Sequence, residues 1–245
     1  MELFYAEPEN ISKIKISLDP FEEKHIKTAL RKKTGDIIYI TDGGGRLIKT
    51  RIQKIKPATE LEILDIQIIQ SPIYKLALGI GFIKPARLEW ILEKGTELGV
   101  CGFYLFRSQY ANYYSDNEDK FRKTLRQAIK QSQRVFLPKL FLCGSLEDFL
   151  TGVQQYQSKY LAVNSEHPLL LSRLIADNSD GANSNPSLLV IGPEGGFDAH
   201  ELEIFKQNNF IPVSLGESRL RAETAAISGI TILKMFQDHL MEGKK

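Results

Sequence analysis

The sequence predicts an α/β protein with a small β-rich domain at its amino end. Residues 1–70 contain closely spaced strand candidates rich in isoleucine, whereas residues 71–245 alternate apolar strands with helices. In the second region the apolar run 188–191 ends in a Gly-Pro-Glu-Gly-Gly cluster, and Asp198 then opens a helix with Glu201 at capping-box spacing. Strand, glycine loop and helix in this order indicate a fold that binds ligands at the carboxyl ends of its strands.

Composition narrows the class of protein. The 245 residues, of which 42% are hydrophobic and 25% charged, leave room for one large or two modest domains. No apolar run approaches the roughly 20 residues that span a bilayer, and the amino end lacks the pattern of a secretory signal. We therefore expect a cytoplasmic protein. The two cysteines suggest no disulfide framework, and the four histidines lack metal-ligand spacing, so we expect no metal.

The first domain, residues 1–70, has a β pattern with one basic helix. Strand candidates cover 36–41, 46–55 and 61–69, and a helix is predicted over Glu22–Lys33. That helix carries the cations Lys24, Lys27 and Arg31. The charges of such a barrel-like domain would contact phosphates, which position a nucleic-acid partner without specifying its sequence.

The second domain, residues 71–245, follows a plausible boundary at Gln70-Ser71-Pro72. Strands are predicted at 75–81, 101–106, 139–143, 159–163, 188–191 and 211–215. Helices are predicted to start near Lys84, Asn117, Asp198 and Ala222. This alternation indicates an α/β domain.

The clearest amphipathic helix covers residues 117–136. Phe121, Leu125 and Ile129 recur every four residues and are expected to face the core. The four cations that share another face, which we call the basic stripe, are Arg122, Arg126, Lys130 and Arg134. Like charges at this spacing repel each other slightly, which favours a phosphate-facing role. A merely solubilising face is the alternative.

Two glycine loops follow neighbouring apolar runs. The first is residues 192–196 and the second is residues 215–221, which read LGESRLR. Neither matches the Gly-x-Gly-x-x-Gly pattern of dinucleotide-binding folds. Each loop alone has the ordinary explanation of a tight turn, since glycine adopts conformations closed to other residues. Two such loops at two strand ends would together form the floor of one ligand pocket.

These motifs carry a family resemblance. The run IGPEGGF, followed by SLG and LRAETA, resembles the carboxyl-terminal motifs of the SPOUT methyltransferases and is most similar to those of the RsmE family. Upstream, Lys84 with the EKGTELGV helix, Gln131-Ser132 with Arg134 and Pro138, and His25 with Leu30-Arg31 resemble further motifs of that family. The resemblance covers nearly the whole chain.

The resemblance implies a fold and an activity. The fold is an amino-terminal PUA-like β-barrel followed by an α/β domain with a deep trefoil knot, assembled as a homodimer. The activity is S-adenosylmethionine-dependent methylation of N3 of a uridine in 16S ribosomal RNA, within the free RNA or the small subunit. The implied cofactor-binding residues are Leu161, Val163, Asn164, Gly192, Pro193, Glu194, Gly195, Gly196, Leu215, Gly216, Leu220 and Ala225. Lys84 joins the basic stripe and the basic helix as an RNA-binding residue.

Three residues are expected to take part in catalysis. Arg221 follows the second loop directly, where its cation would stabilise negative charge on the uracil carbonyl oxygens as N3 loses its proton. A phosphate or carboxylate clamp is the alternative for Arg221. Glu194 or Glu223 would assist the proton or hold Arg221, and a structural role at a helix start is the alternative for Glu223.

Two other functions stay open beside this one. A SPOUT enzyme that methylates a ribose 2′-hydroxyl is one, and an RNA-binding assembly factor without activity is the other. The sequence also departs from the resembled family in two places. It has Ser108-Gln109-Tyr110-Ala111 where the family has Ser/Thr-Glu-Arg-Ser, and Ser218-Arg219 where an arginine–isoleucine pair is common.

Overall fold

A computed structural model describes residues 1–12, 15–72, 75–164, 169–177 and 186–242. The chain divides into two compact units. Unit 1 comprises Met1–Ser71 with Arg126–Leu137, and unit 2 comprises Pro72–Leu125 with Pro138–Lys245.

Unit 1 is built on a four-stranded sheet. Its strands are β1 (Leu3–Tyr5), β2 (Ile37–Thr41), β3 (Arg46–Lys54) and β4 (Glu60–Ile68). They lie in the order β1-β2-β3-β4, with β1 parallel to β2 and the other pairs antiparallel. The core beneath the sheet is mainly isoleucine, which packs well on a pleated surface. The strand β1 was not predicted, because three residues are too few to show a period.

The basic helix differs from its predicted form. An α-helix, α1, covers Pro20–Lys24 and continues as a π-helical turn over His25–Ala29. It starts earlier than predicted because Asp19 accepts a hydrogen bond from the Glu22 amide at 2.7 Å and Pro20 fits the first helical position. It ends earlier because Arg31 has a φ of 50°, which no helix continues through.

Residues 126–137 belong to unit 1, whereas the predicted second domain runs unbroken from residue 71. The physical reason lies in the turn between β2 and β3. The Gly45 amide donates to the Val135 carbonyl at 3.0 Å, and the Leu137 amide donates to the Gly43 carbonyl at 2.8 Å. These long-range backbone bonds cannot be inferred from local sequence.

Unit 2 alternates strands and helices as predicted. Its strands are β5 (Leu76–Gly81), β6 (Gly102–Phe106), β7 (Lys139–Cys143), β8 (Ser158–Ala162), β9 (Leu169–Leu170), β10 (Ser187–Ile191) and β11 (Ile211–Ser214). Its helices are α2 (Pro85–Leu98), α3 (Glu118–Gln131, which ends in unit 1), α4 (Leu146–Gly152), α5 (Leu171–Asp177), α6 (Ala199–Gln207) and α7 (Ala222–Glu242).

The seven strands of unit 2 form one parallel sheet in the order β7-β6-β5-β10-β8-β11-β9. The central strands β5 and β10 are buried along their whole length, as expected for a sheet covered on both faces. The α/β class is therefore confirmed. Because β10, β8 and β11 are adjacent, the loops that follow them emerge side by side.

The last helix, α7, packs against β5, β10, α2 and α5. Gly229 permits this close approach, since a Cβ there would lie 2.4 Å from the Leu189 side chain. The small residues of α7 thus serve tight packing within the chain. The trefoil knot implied by the family resemblance stays a prediction. Within the described residues no helix is long and apolar enough to cross a membrane.

Candidate active site

The carboxyl ends of β8, β10 and β11 open into a cavity of about 1040 Å³ in unit 2. Cavities that hold small molecules and cofactors usually measure about 300–1,000 Å³. Both glycine loops predicted from the sequence line this cavity, together with the residues that follow β8. The two loops therefore form one pocket, as their position after neighbouring strands predicted.

The first glycine loop owes its shape to backbone constraints at both ends. The Gly196 amide donates to the Pro193 carbonyl at 2.9 Å and closes a tight turn, in which Gly196 has a φ of 75° that favours glycine. Asp198 then caps α6, since its carboxylate accepts from the Glu201 amide at 2.7 Å and Glu201 returns the bond. The predicted capping box is confirmed, and it fixes the exit of the loop.

The second loop is held by a smaller set of bonds. The Ser214 hydroxyl donates to the Gly216 carbonyl at 2.8 Å, and Gly216 has a φ of 141°. Arg221 immediately precedes α7, and its carbonyl accepts from the Ala225 amide at 2.8 Å. This bond anchors the Arg221 backbone to the first turn of α7, while its side chain is exposed at the cavity.

All twelve residues implied as cofactor-binding line the cavity. They are Leu161, Val163, Asn164, Gly192, Pro193, Glu194, Gly195, Gly196, Leu215, Gly216, Leu220 and Ala225. The lining also includes Arg87, Phe197 and Arg219. The cavity thus combines exposed backbone at the glycines with apolar walls and a few charged groups.

An arginine that the sequence did not single out organises two of the predicted catalytic residues. Arg87, on α2, lies 3.3 Å from a carboxylate oxygen of Glu194 and 3.6 Å from one of Glu223. The other carboxylate oxygen, Oε2, of each glutamate is buried without a hydrogen-bond partner in the described part of the chain. Such orphaned acceptors are rare in folded proteins and mark a place where a donor is missing.

The two candidate glutamates share one cationic partner. Glu194 or Glu223 was expected to assist the proton or to hold Arg221, and in the structure both carboxylates contact Arg87. Arg221 and Glu194 line the cavity. Glu223 is outside the lining, but its carboxylate contacts Arg87, which is part of the lining. No local signal distinguishes Arg87 from the other charged residues of α2, because its two partners follow it by more than a hundred residues.

Two residues of the basic stripe, Lys130 and Arg126, form ion pairs with distant residues of the chain. Lys130 pairs with Glu22, and their side chains are only 11% and 4% exposed. Burial raises the pKa of the Glu22 carboxyl, although the Lys130 ammonium opposes this. Arg126 pairs with Glu7 and covers the Tyr5 ring at 5.0 Å. The phosphate-facing interpretation is therefore wrong for Lys130, whose charge is covered.

The remaining cations predicted to bind RNA are more accessible. Arg122 donates to Glu118 at 2.7 Å on the same helix, and Lys27 pairs with Glu23 at 2.7 Å. Lys24, Arg31 and Lys84 are exposed. Lys84 also lies 5.9 Å from the centre of the Tyr113 ring. Arg134 is half-buried.

The two departures from the resembled motifs lie near the cavity. Ser218 and Arg219 belong to its lining. Tyr110, which stands where the family has an arginine, contacts the first glycine loop, since a Cβ on Gly195 would lie 2.8 Å from the Tyr110 Cβ. In the described ranges, no group of three His, Cys, Asp or Glu residues is arranged to hold a metal ion.

Comparison with known proteins finds a matching family for each of the two parts of the chain. A family profile for an RNA methyltransferase domain matches residues 69–234, and a profile for an RNA methyltransferase PUA domain matches residues 23–64. The chain is 27% identical to the ribosomal RNA small subunit methyltransferase E of Rickettsia conorii, over 94% of this chain and 93% of that protein. The corresponding protein of Bacillus subtilis is also 27% identical, over 91% and 90% of the two chains.

A solved structure shares the fold. The crystal structure of a ribosomal RNA small subunit methyltransferase E from Neisseria gonorrhoeae, bound to S-adenosyl methionine, has a TM-score of 0.80 to this chain. It is 22% identical and the match covers 96% of this chain and 97% of that one. The PUA-like character expected of the amino-terminal region is thereby confirmed.

Proposed function

Since the chain belongs to the family of RNA methyltransferases defined by the domain at residues 69–234, we propose that it methylates N3 of a specific uridine in 16S ribosomal RNA. The methyl donor is S-adenosylmethionine. The observation that carries the proposal is the single cavity formed by both glycine loops at the carboxyl ends of three adjacent strands. The likeness over nearly the full length to curated small-subunit enzymes supports the choice of RNA.

The residues of the cavity fit this cofactor. Backbone N–H and C=O groups at the glycine loops suit the polar edge of an adenine, and Leu161, Leu215 and Leu220 supply apolar walls. The carboxylate of Glu194 in the cavity lining also suits the positive charge that S-adenosylmethionine carries. When bound, this cofactor supplies an electrophilic methyl group, so the protein must orient the acceptor and manage its proton.

Arg221 stabilises the anion that forms on uracil. Loss of the weakly acidic N3 proton places negative charge on the two flanking carbonyl oxygens. A cation already positioned there stabilises the transition state without reorganising at the moment of reaction. Arg221 suits this role because its backbone is anchored at the start of α7 while its guanidinium is exposed at the cavity.

Glu194 receives or shares the N3 proton. Its carboxylate lines the cavity and keeps one oxygen without a hydrogen-bond partner, while Arg87 holds the other at 3.3 Å. Glu223 acts from behind the cavity wall, because it shares Arg87 with Glu194 and thereby fixes the direction of that guanidinium. General bases need this kind of orientation by a third group.

The RNA is bound through its phosphates by exposed cations. Lys24 and Arg31 in the amino-terminal region, and Lys84 in the methyltransferase domain, are exposed, whereas Lys130 is buried in its pair with Glu22. The division into a PUA-like RNA-binding domain at 1–70 and a methyltransferase domain at 71–245 belongs to this proposal. Because N3 lies on the Watson–Crick edge, the target uridine is unpaired or extruded when it reacts.

The protein acts in the cytoplasm as a homodimer. Apolar side chains that the single chain leaves exposed support self-association, among them Met235 on α7 at 68% and Trp90 on α2 at 42%. Light scattering during size-exclusion chromatography measures the mass directly. A mass of one chain at micromolar concentration would contradict the dimer.

The methylated atom identifies the reaction. Small subunits and free 16S RNA from cells lacking the gene are incubated with the protein and labelled S-adenosylmethionine, and the product nucleoside is identified by mass spectrometry. We expect one N3-methyluridine per RNA. A methyl on ribose would support the 2′-hydroxyl alternative, and the absence of methylation in both substrates would support the assembly-factor alternative.

A further inference from the structure

An exposed aromatic side chain stands at the rim of the cavity. Tyr110 lies in the segment between β6 and α3 and is 48% exposed. Its Cβ lies so close to Gly195 that a methyl group on Gly195 would approach it to 2.8 Å. Gly195 lines the cavity, whereas Tyr110 is outside the lining. Tyr110 therefore lies directly beside a residue of the cavity wall.

The backbone around Tyr110 is fixed on both sides. The Gln109 amide donates to a carboxylate oxygen of Glu201 at 2.9 Å, and Glu201 is 6% exposed. The Ala111 amide donates to the Ser108 carbonyl at 3.0 Å and closes a turn around the tyrosine. Glu201 also belongs to the capping box of α6, so the same carboxylate sets the exit of the glycine loop and the position of Tyr110.

The surroundings suit a single-stranded nucleic acid. Arg107 and Lys84 are exposed, and Lys84 lies over the Tyr113 ring at 5.9 Å. Surfaces that bind unpaired RNA combine cations for the phosphates with aromatic rings on which bases stack. Tyr110 is 48% exposed, so its ring is accessible to a base.

We propose that Tyr110 provides the stacking surface for a nucleobase of the substrate RNA at the rim of the cavity. This inference rests on the proposed rRNA methyltransferase activity. The ring holds the base in contact while Arg221 and Glu194 act on the base that enters the cavity. Stacking tolerates any base, so Tyr110 contributes affinity and position, and sequence preference comes from other contacts.

The test compares three variants in steady-state methylation of small ribosomal subunits. We expect Tyr110→Ala to raise KM for the RNA at least about five-fold, the weak end of what one stacking ring contributes, and Tyr110→Phe to stay within about two-fold of wild type. Tyr114→Ala is the matched control. Tyr114 belongs to the same segment and is 56% exposed, but it contacts Phe82 rather than the glycine loop.

Two further measurements separate stacking from packing on Gly195. Calorimetric titration gives the Kd for S-adenosylmethionine, which we expect to change less than about two-fold in Tyr110→Ala because the lost contact is with RNA. Photocrosslinking of RNA substituted with 4-thiouridine, followed by peptide mapping, should yield a crosslink at Tyr110.

An unchanged KM in Tyr110→Ala would overturn the inference. So would a cofactor Kd that weakens by the same factor as KM, because Tyr110 would then only support the glycine loop. Failure of the wild-type protein to methylate ribosomal RNA would instead overturn the proposed function. Failure of the inference is thus measured in the Tyr110→Ala variant, and failure of the proposed function in the wild-type protein.

Discussion

The cavity and the basic stripe both look functional in the sequence, yet the structure treats them differently. The glycine loops after β10 and β11 meet at one cavity, and all twelve residues implied as cofactor-binding line it. In the basic stripe, by contrast, Lys130 forms a buried ion pair with Glu22, which precedes it by 108 residues. Glycine turns at strand ends depend on local sequence and can be predicted from it. The ion-pair partner of a charged residue, by contrast, is set by the tertiary fold.

The largest effect is expected at the buried pair. Lys130→Ala leaves the Glu22 carboxylate buried without its cation, and breaking such a pair usually costs about 3–5 kcal/mol of folding free energy. Urea denaturation measures the free energy of unfolding. The double variant Glu22→Leu/Lys130→Met removes both charges and should recover most of the stability.

The RNA affinity of the double variant tests whether Lys130 contacts RNA. We expect it to bind RNA like the wild type, because the Lys130 charge is covered. Weaker binding in a stable double variant would return Lys130 to the RNA-binding surface. A stability of Lys130→Ala equal to that of wild type would show that the ion pair contributes nothing to the fold.

The next effect is expected in the cavity. Arg221→Ala removes the cation that opposes negative charge on the uracil oxygens, and loss of one such group usually lowers kcat about 100- to 1,000-fold. Single-turnover methylation measures this rate, and calorimetry should give a nearly unchanged cofactor affinity. Arg219→Ala, which removes a neighbouring exposed arginine from the same loop, is the matched control. An equal loss in both variants would point to general electrostatic attraction rather than to a catalytic role.

A smaller effect is expected at Arg87. Replacing it with methionine keeps most of the side-chain volume but leaves the Glu194 and Glu223 carboxylates without their shared cation. We expect kcat to fall about ten-fold, in the range typical of a group that orients a proton acceptor. Single-turnover methylation measures this rate. A kcat equal to that of wild type would remove Arg87 from the positioning of Glu194.

The smallest effect is expected at Asp42, in the glycine turn between β2 and β3. Burial would raise the pKa of Asp42, but the Arg46 guanidinium and the amides of Gly44 and Arg46 hold it below its usual value. A lowered folded-state pKa contributes stability above the unfolded pKa of about 3.9 and loses it as pH falls through the folded pKa. We expect Asp42→Asn to cost about 1 kcal/mol at pH 7 and progressively less below pH 4. A cost that is constant from pH 7 to pH 2 would contradict this.

The sequence predicted most of the architecture because the relevant signals are local. The apolar runs of unit 2 became strands, and the Asp198–Glu201 capping box formed as its spacing indicated. Elements that depend on distant partners were missed. The strand β1 exists because it pairs with β2, and residues 126–137 join unit 1 through backbone bonds to the β2–β3 turn.

The same limit applies to the candidate site. Glu194 and Glu223 were predicted as site residues because they lie in motifs. Arg87, which contacts both, lies on α2, and nothing in the local sequence distinguishes it from the other charged residues of that helix. Tyr110 was noted only as a departure from a family motif, and its contact with Gly195 gives it a place at the rim. Glycine patterns at strand ends thus locate a pocket, whereas the partners of individual charged residues depend on the tertiary fold.

The most direct test of the cavity as the cofactor site is a calorimetric titration of S-adenosylmethionine into wild type and Ala225→Phe. Ala225 lines the cavity on the first turns of α7, so a phenylalanine there fills space without adding charge. We expect one cofactor bound per chain in the wild type, and binding at least about 100-fold weaker in a folded Ala225→Phe variant, as overpacking of a filled site implies. Equal affinity in both proteins, or no binding to folded wild type, would contradict the assignment.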